Sequence, residues 1–178
     1  MKSIEYLYSL VDQSNFTTIG YTSNDENLKD EFISKSSYID LREIDPSFSF
    51  NGSFKQKIRD IRLDSILNDS EDLSKINFKY ILIDYNDLPL LQKSDIYKSI
   101  QLNQIVEKLR SECVECGLKA IFTTTTYTSL EVTPSQNLKG GRRSMYIADL
   151  AFIIDKGVAK LMKNRFGSDN ETISLSGL

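Results

Sequence analysis

The run Tyr80-Ile81-Leu82-Ile83-Asp84 is apolar up to its terminal aspartate. A strand with one solvated face alternates apolar with polar residues. An uninterrupted run is instead buried on both faces, as in a parallel sheet covered by helices above and below. The neighbouring segments fit that demand. Ile4, Leu7, Tyr8 and Val11 mark a short amphipathic helix before a strand at Phe16–Ile19. Tyr38-Ile39-Asp40-Leu41 reads as a second strand closed by Asp45-Pro46, the Phe48–Gly52 region as loop, and Phe54, Ile58 and Ile61 as the stripe of a basic helix. A helix from about Ser99 to Cys116 stops at Gly117, a residue suited to the left-handed C-terminal cap. Ala120-Ile121-Phe122-Thr123-Thr124 is β-rich. Leu150–Ile154, Ala159–Lys163 and Glu171–Leu175 are short strands separated by Gly157 and by Phe166–Asn170, which suits antiparallel additions at a sheet edge. The expectation is an α/β fold, a mostly parallel sheet with helices on both faces and antiparallel strands at its C-terminal edge.

With 178 residues, 40% of them hydrophobic, the chain is long enough for one sizeable core, so a single domain over residues 1–178 is expected. A net charge of −3 creates no general attraction to nucleic acid or membrane, but the charge is uneven. Between Lys139 and Arg165 seven basic residues (Lys139, Arg142, Arg143, Lys156, Lys160, Lys163, Arg165) face two acids, Asp149 and Asp155. No apolar run approaches the roughly 18 residues of a membrane span, and the first residues lack the apolar core of a signal peptide. A soluble, cytoplasmic protein with no membrane partner is expected. Cys113 and Cys116 form a C-x-x-C in a chain with no histidine. Zinc requires about four ligands, and a redox pair requires an exposed cysteine at a helix N-terminus. Both cysteines instead continue the stripe Leu102, Ile105, Val106, Leu109, so they read as small core residues and no metal is expected. The lack of histidine also removes Ser-His and Cys-His catalysis.

In Phe16-Thr17-Thr18-Ile19-Gly20-Tyr21-Thr22-Ser23-Asn24-Asp25-Glu26-Asn27, followed by the helix-like Leu28–Ile33, a glycine ends a strand shortly before a helix. That is the setting of G-x-x-x-x-G-K-[ST], whose backbone N–H groups and lysine hold the phosphates of a nucleotide. Aligned on Gly20, the second glycine, the lysine and the hydroxyl residue fall on Asp25, Glu26 and Asn27, with Ser23 inside the loop. At ~4 Å and an effective dielectric of about 20, a unit-charge pair is worth roughly 4 kcal/mol, so the charge reversal removes several orders of magnitude of affinity. A degenerate nucleotide loop is expected, with no bound cofactor and no catalytic residue.

Further segments point the same way. Tyr80–Leu88 is a hydrophobic strand ending in Asp84, Lys119–Thr128 is a strand whose end carries Thr123 to Thr125, and Lys163-Asn164-Arg165-Phe166-Gly167 spells KNRFG. Between them lies Gly140-Gly141-Arg142-Arg143-Ser144-Met145-Tyr146-Ile147-Ala148-Asp149-Leu150-Ala151-Phe152-Ile153-Ile154. Together these resemble the RecA-fold ATPase superfamily, namely RadA-type proteins, DnaB-type helicases and phage UvsX-type recombinases. The resemblance implies a RecA-like core in which Asp84 takes the Walker B position, whose aspartate holds magnesium through water. It places Thr123 to Thr125 where the family carries a polar sensor of another kind, and Arg42 and Glu43 near the family's catalytic glutamate. Gly140–Ile154 looks like the segment leaving the second DNA-binding loop. Lys163 and Arg165 correspond to basic residues that reach a neighbouring subunit's nucleotide, a trans-acting finger.

The loop Thr126–Arg143 is long for an irregular connection in a compact domain, which favours a functional segment. Lys139, Arg142 and Arg143 suit the phosphates of single-stranded DNA and Tyr127 suits base stacking, although a solvated basic loop has the same composition. The expected function is that of a noncatalytic RecA-like protein in DNA replication or recombination, acting through single-stranded DNA binding, through assembly as a homo-oligomer or with a RecA-fold ATPase partner, or through both. Two alternatives stay open. One is a divergent ATPase using Lys29, which lies one helical turn late for phosphate contact. The other is an interaction module that modulates a host or viral helicase.

Overall fold

The computed structural model describes residues 2–46, 53–68, 77–87, 95–128, 136–138 and 142–178, apart from the side chains of 95–103, 128, 136–137 and 142–144. The Phe48–Gly52 loop and Lys139 lie outside the described residues. In chain order the elements are α1 (Ile4–Gln13), β1 (Phe16–Tyr21), α2 (Glu26–Ser34), β2 (Tyr38–Asp40), α3 (Leu41–Ile44), α4 (Phe54–Leu67) and β3 (Tyr80–Asp84). They continue with α5 (Asp95–Glu115), β4 (Lys119–Thr128), β5 (Gln136–Leu138), α6 (Arg142–Ile147), β6 (Leu150–Asp155), β7 (Val158–Asn164) and β8 (Thr172–Ser174).

Seven strands lie in the order β2-β3-β4-β1-β6-β7-β8, and β5 pairs with the outer end of β4. The pairs from β2 to β6 are parallel, and β6-β7-β8 are antiparallel. The expected α/β sheet with an antiparallel C-terminal edge is therefore present. Its double burial follows from the strand period of two. Phe16, Ile81, Ile83, Ala120 and Phe122 point to one face, against Leu41 and Ile44 of α3, Phe54 and Ile58 of α4, and Val106, Leu109 and Cys113 of α5. Ile19, Tyr21, Tyr80, Ile121, Phe152 and Ile154 point to the other, against Leu7, Leu10 and Val11 of α1 and Phe32 and Ile33 of α2.

Local chemistry sets the ends of these elements. Gly117 takes φ +67° while Leu118 N–H bonds Cys113 O and Gly117 N–H bonds Val114 O, so α5 closes as a Schellman motif with Leu118 buried beneath it. Lys156 and Gly157, at φ 52° and 76°, join Asp155 to its partner Val158, the signature of a two-residue type I′ hairpin.

Three sequence expectations are revised. The first strand continues through Gly20 and Tyr21, because both residues pair with β4 on one side and β6 on the other. Leu41 leaves the second strand to begin a helical turn, since the Asp40 side chain accepts from Arg42 N and caps it. The segment from Thr126 is not wholly irregular. Thr126, Tyr127 and Thr128 extend β4 and pair antiparallel with Leu138, Asn137 and Gln136. Among the described residues, no helix is long and apolar enough to cross a membrane.

Candidate functional site

Parallel strands bring the ends of β1, β3 and β4 together at one edge of the sheet, and the β1–α2 turn lies there. Gly20 is inside the strand. A Cβ on it would collide with Leu138 Cδ2 and stand 3.1 Å from Ile153 Cγ1, so its missing side chain makes room for β5. The connection beyond Tyr21 is short, Thr22 followed by a single 3₁₀ turn, Ser23–Asp25. Ser23, Glu26 and Asn27 are exposed and Asp25 is half-buried. Asp25 Oδ2 accepts from Thr22 Oγ1 at 2.6 Å and from Lys156 N at 2.9 Å, while Thr22 N donates to Ile154 O at 3.2 Å. The Asp25 carboxylate thus ties the turn to the β6–β7 hairpin. Glu26 adds a second carboxylate to the first turn of α2, where the positive end of a helix attracts anions.

Across the same edge, Asp84 lies opposite Thr123. Its Oδ2 accepts from Thr123 Oγ1 at 2.8 Å and its Oδ1 from Asn86 N at 2.7 Å. Burial, followed by the charges of Asp84, Glu26 and Asp30, pushes the Tyr21 hydroxyl up to about 12. Lys29 is almost wholly covered, its side chain 8% exposed, with Nζ 2.6 Å from Asp30 Oδ1 and 4.5 Å above the Tyr21 ring. Arg42 grips Asp40 through Nε and Nη2, at 3.1 and 3.0 Å, and reaches Asp87 at 3.4 Å. Hydrogen bonding to Asp40 is the main cause that raises the Arg42 guanidinium. Burial raises Asp87, offset in part by Arg42. Glu43 is exposed on α3. Of the described cations at this edge, Lys29 and Arg42 are engaged by carboxylates of the chain, while Lys156, whose backbone amide binds Asp25, is exposed. Among the described residues no three of His, Cys, Asp or Glu are grouped to hold a metal ion.

The KNRFG segment lies at the opposite end of the sheet, where β1 begins. Lys163 Nζ donates to the carbonyls of Met145 and Tyr146, at 3.2 and 2.5 Å, a cation at the C-terminal end of α6. Burial, then the neighbouring Arg165, lowers this ammonium. Asn164 is buried. Its Oδ1 accepts from Phe166 N, its Nδ2 donates to Ser168 O, and its own N–H donates to Asp169 Oδ1. Arg165 Nη1 lies 2.6 Å from Asp149 Oδ1, and Arg165 N donates to Asp149 O at 3.0 Å. Asp149 is itself buried and accepts from Asn15 N at 2.9 Å, with Arg110 at 3.9 Å. A Cβ on Gly167 would meet Asn164 Nδ2 at 3.1 Å. Four of the five residues therefore have work within the chain, while Phe166 is exposed.

Arg142 and Arg143 open α6, and Tyr127 is half-exposed on β4. The cysteines are free thiols, and burial pushes both up. Sequence reasoning missed the Asp149 node, whose only signal was an acid inside a basic segment, and the pairing of Arg42 with Asp40 and Asp87.

No family model matches the chain, and no curated protein matches it. Among solved structures the chain is similar to the ATPase domain of a DnaB-type helicase, with a TM-score of 0.52 over 90% of this chain and 80% of that chain, at 14% identity. The chain has a RecA-like fold. At this identity the likeness is one of architecture, and in that architecture Asp84 and the β1–α2 turn share one edge of the sheet.

Proposed function

We propose that this chain is a noncatalytic RecA-like protein that acts in DNA replication or recombination. The observation that carries this reading is the β1–α2 turn. A nucleotide's phosphates require converging N–H groups and a cation, but here Asp25 accepts the Lys156 amide and Glu26 stands in the first turn of the following helix. Lys29, the nearest cation in sequence, is held by Asp30 beneath the surface. In this reading Lys139, Arg142 and Arg143 contact single-stranded DNA. Lys163 and Arg165 serve a second copy of the chain or a RecA-fold ATPase partner, and the Arg165 side chain is 50% exposed while paired with Asp149. The competing reading, a divergent ATPase, draws on Asp84 and its Thr123 contact at the same edge.

Phosphate release from ATP-magnesium separates the two readings, measured with and without single-stranded DNA. The proposal expects no turnover above a buffer blank in either condition. Turnover stimulated by DNA and abolished by Asp84→Asn establishes the divergent ATPase instead.

A further inference from the structure

Seven large hydrophobic residues are exposed among the described residues, and three of them, Leu63, Ile66 and Leu67 at 51%, 56% and 71%, lie on the last turns of α4. Clustering of this kind marks a contact surface, whereas single exposed leucines do not. Lys55, Arg59, Arg62, Leu63 and Ile66 follow a helical spacing down one side of α4. With Cys116 from the end of α5 they line a groove of about 370 Å³ whose lining, among the described residues, carries no acid. On the other flank of α5 lies a second cleft of about 570 Å³, lined by Glu107, Arg110, Val114, Glu115 and, from α6, Ile147. Val114 is 58% exposed, and with Arg110 half-exposed and 3.9 Å from Asp149 the described lining sets two carboxylates against one guanidinium around an apolar centre.

Both concavities open on the same helical layer, because α4 and α5 pack their other sides against one face of the sheet. One is basic and apolar, the other acidic and apolar, and α5 separates them. Such a layer is complementary to itself. In a two-fold arrangement each patch of one copy meets the opposite patch of the other, and both contacts form at once. The lining is aliphatic rather than aromatic, which favours a protein partner over stacked bases.

We propose that the chain pairs with a second copy of itself about a two-fold axis across this layer, the basic groove beside α4 receiving the acidic edge of α5 from the partner and the reverse. This goes beyond the reading of the nucleotide edge and does not depend on it. Leu63 and Ile66 supply the apolar contact, and Arg59 with Glu115 supplies charge that fixes register and weakens with salt.

Sedimentation equilibrium of the full chain tests the pairing. The expected mass is twice 20.3 kDa. Arg59→Glu and Glu115→Arg, each on a surface side chain, weaken the dimer by about tenfold or more. An equimolar mixture of the two variants restores it, since every contact in the mixed pair again joins opposite charges, and the mass stops at two copies. Circular dichroism confirms that both variants fold. A wild-type monomer at ~100 μM, a dimer indifferent to both variants, or a species growing past two copies overturns the proposal. So does a monomer whose Arg59 instead governs single-stranded DNA binding.

Discussion

At Asp25 one carboxylate oxygen accepts from a threonine hydroxyl and from an amide that belongs to another hairpin. Two residue types decide this edge: a carboxylate that satisfies donors of the turn and of the neighbouring hairpin, and a glycine whose space β5 occupies. Gly20→Ala is expected to cost about 1–3 kcal/mol by overpacking against Leu138, measured by urea unfolding. In a Leu138→Ala background the same change should cost much less, and equal costs in both backgrounds would show that the strain lies elsewhere. Two buried tyrosines contribute to the loss of stability in alkali, in the same sense as the raised Cys113 and Cys116 thiols and Tyr8. Tyr21 and Tyr80 are both pushed up to about 12 from 10, chiefly by burial. A folded-state value above the unfolded one stabilises the protonated form, so this stability is whole below pH 10 and is lost as pH rises through 12. The melting temperature should fall across that window, and the fall should be shallower in Tyr21→Phe/Tyr80→Phe. Lys163, lowered from 10.5, acts in the opposite sense just below its unfolded value, so the tyrosine slope is best read above it.

Among elements, the β7–β8 connection shows that a motif resembling a trans-acting finger also makes contacts within its own chain. Arg165 neutralises a buried aspartate, Lys163 caps α6, and Asn164 supplies the turn's internal bonds. Arg165→Ala leaves the Asp149 carboxylate buried with Asn15 N and a distant Arg110, and is expected to cost about 2–4 kcal/mol in urea unfolding. An unchanged midpoint would mean that Asp149 reaches water. Effects of this variant on assembly therefore need correcting for stability. The basic segment at the start of α6 is separable. If Lys139, Arg142 and Arg143 meet DNA phosphates, neutralising all three lowers the salt slope of single-strand binding by about two to three units. An unchanged slope assigns them to solvent.

For the whole molecule, the layered α/β sheet was legible because burial on both faces leaves a mark in composition. Tyr80–Ile83, Ala120–Phe122 and Leu150–Ile154 carry apolar residues at consecutive positions, which a strand tolerates only when both its faces are covered. The antiparallel edge was legible from Gly157, whose positive φ the hairpin uses. The site was less legible. Gly20 could be aligned with a phosphate loop, but whether a glycine serves a turn or a close approach depends on Leu138, far along the chain. Likewise the pairing of Asp149 with Arg165 and with Asn15 joins β6, the β7–β8 connection and the start of β1, contacts that no local pattern encodes. Charge signs were readable from sequence, and charge partners were not.

At one edge of this sheet the β1–α2 turn and the start of α2 carry the Asp25 and Glu26 carboxylates and a lysine engaged by Asp30, and in the proposed function this turn is unable to hold a nucleotide's phosphates. The decisive measurement is isothermal titration of the wild-type chain with ATP-magnesium. No saturable heat is expected up to millimolar ligand, because neither Asp25 nor Glu26 can be exchanged for phosphate without bringing like charges together at about 4 kcal/mol per close pair. Saturable binding with a micromolar dissociation constant, lost on Asp84→Asn, would contradict the noncatalytic reading.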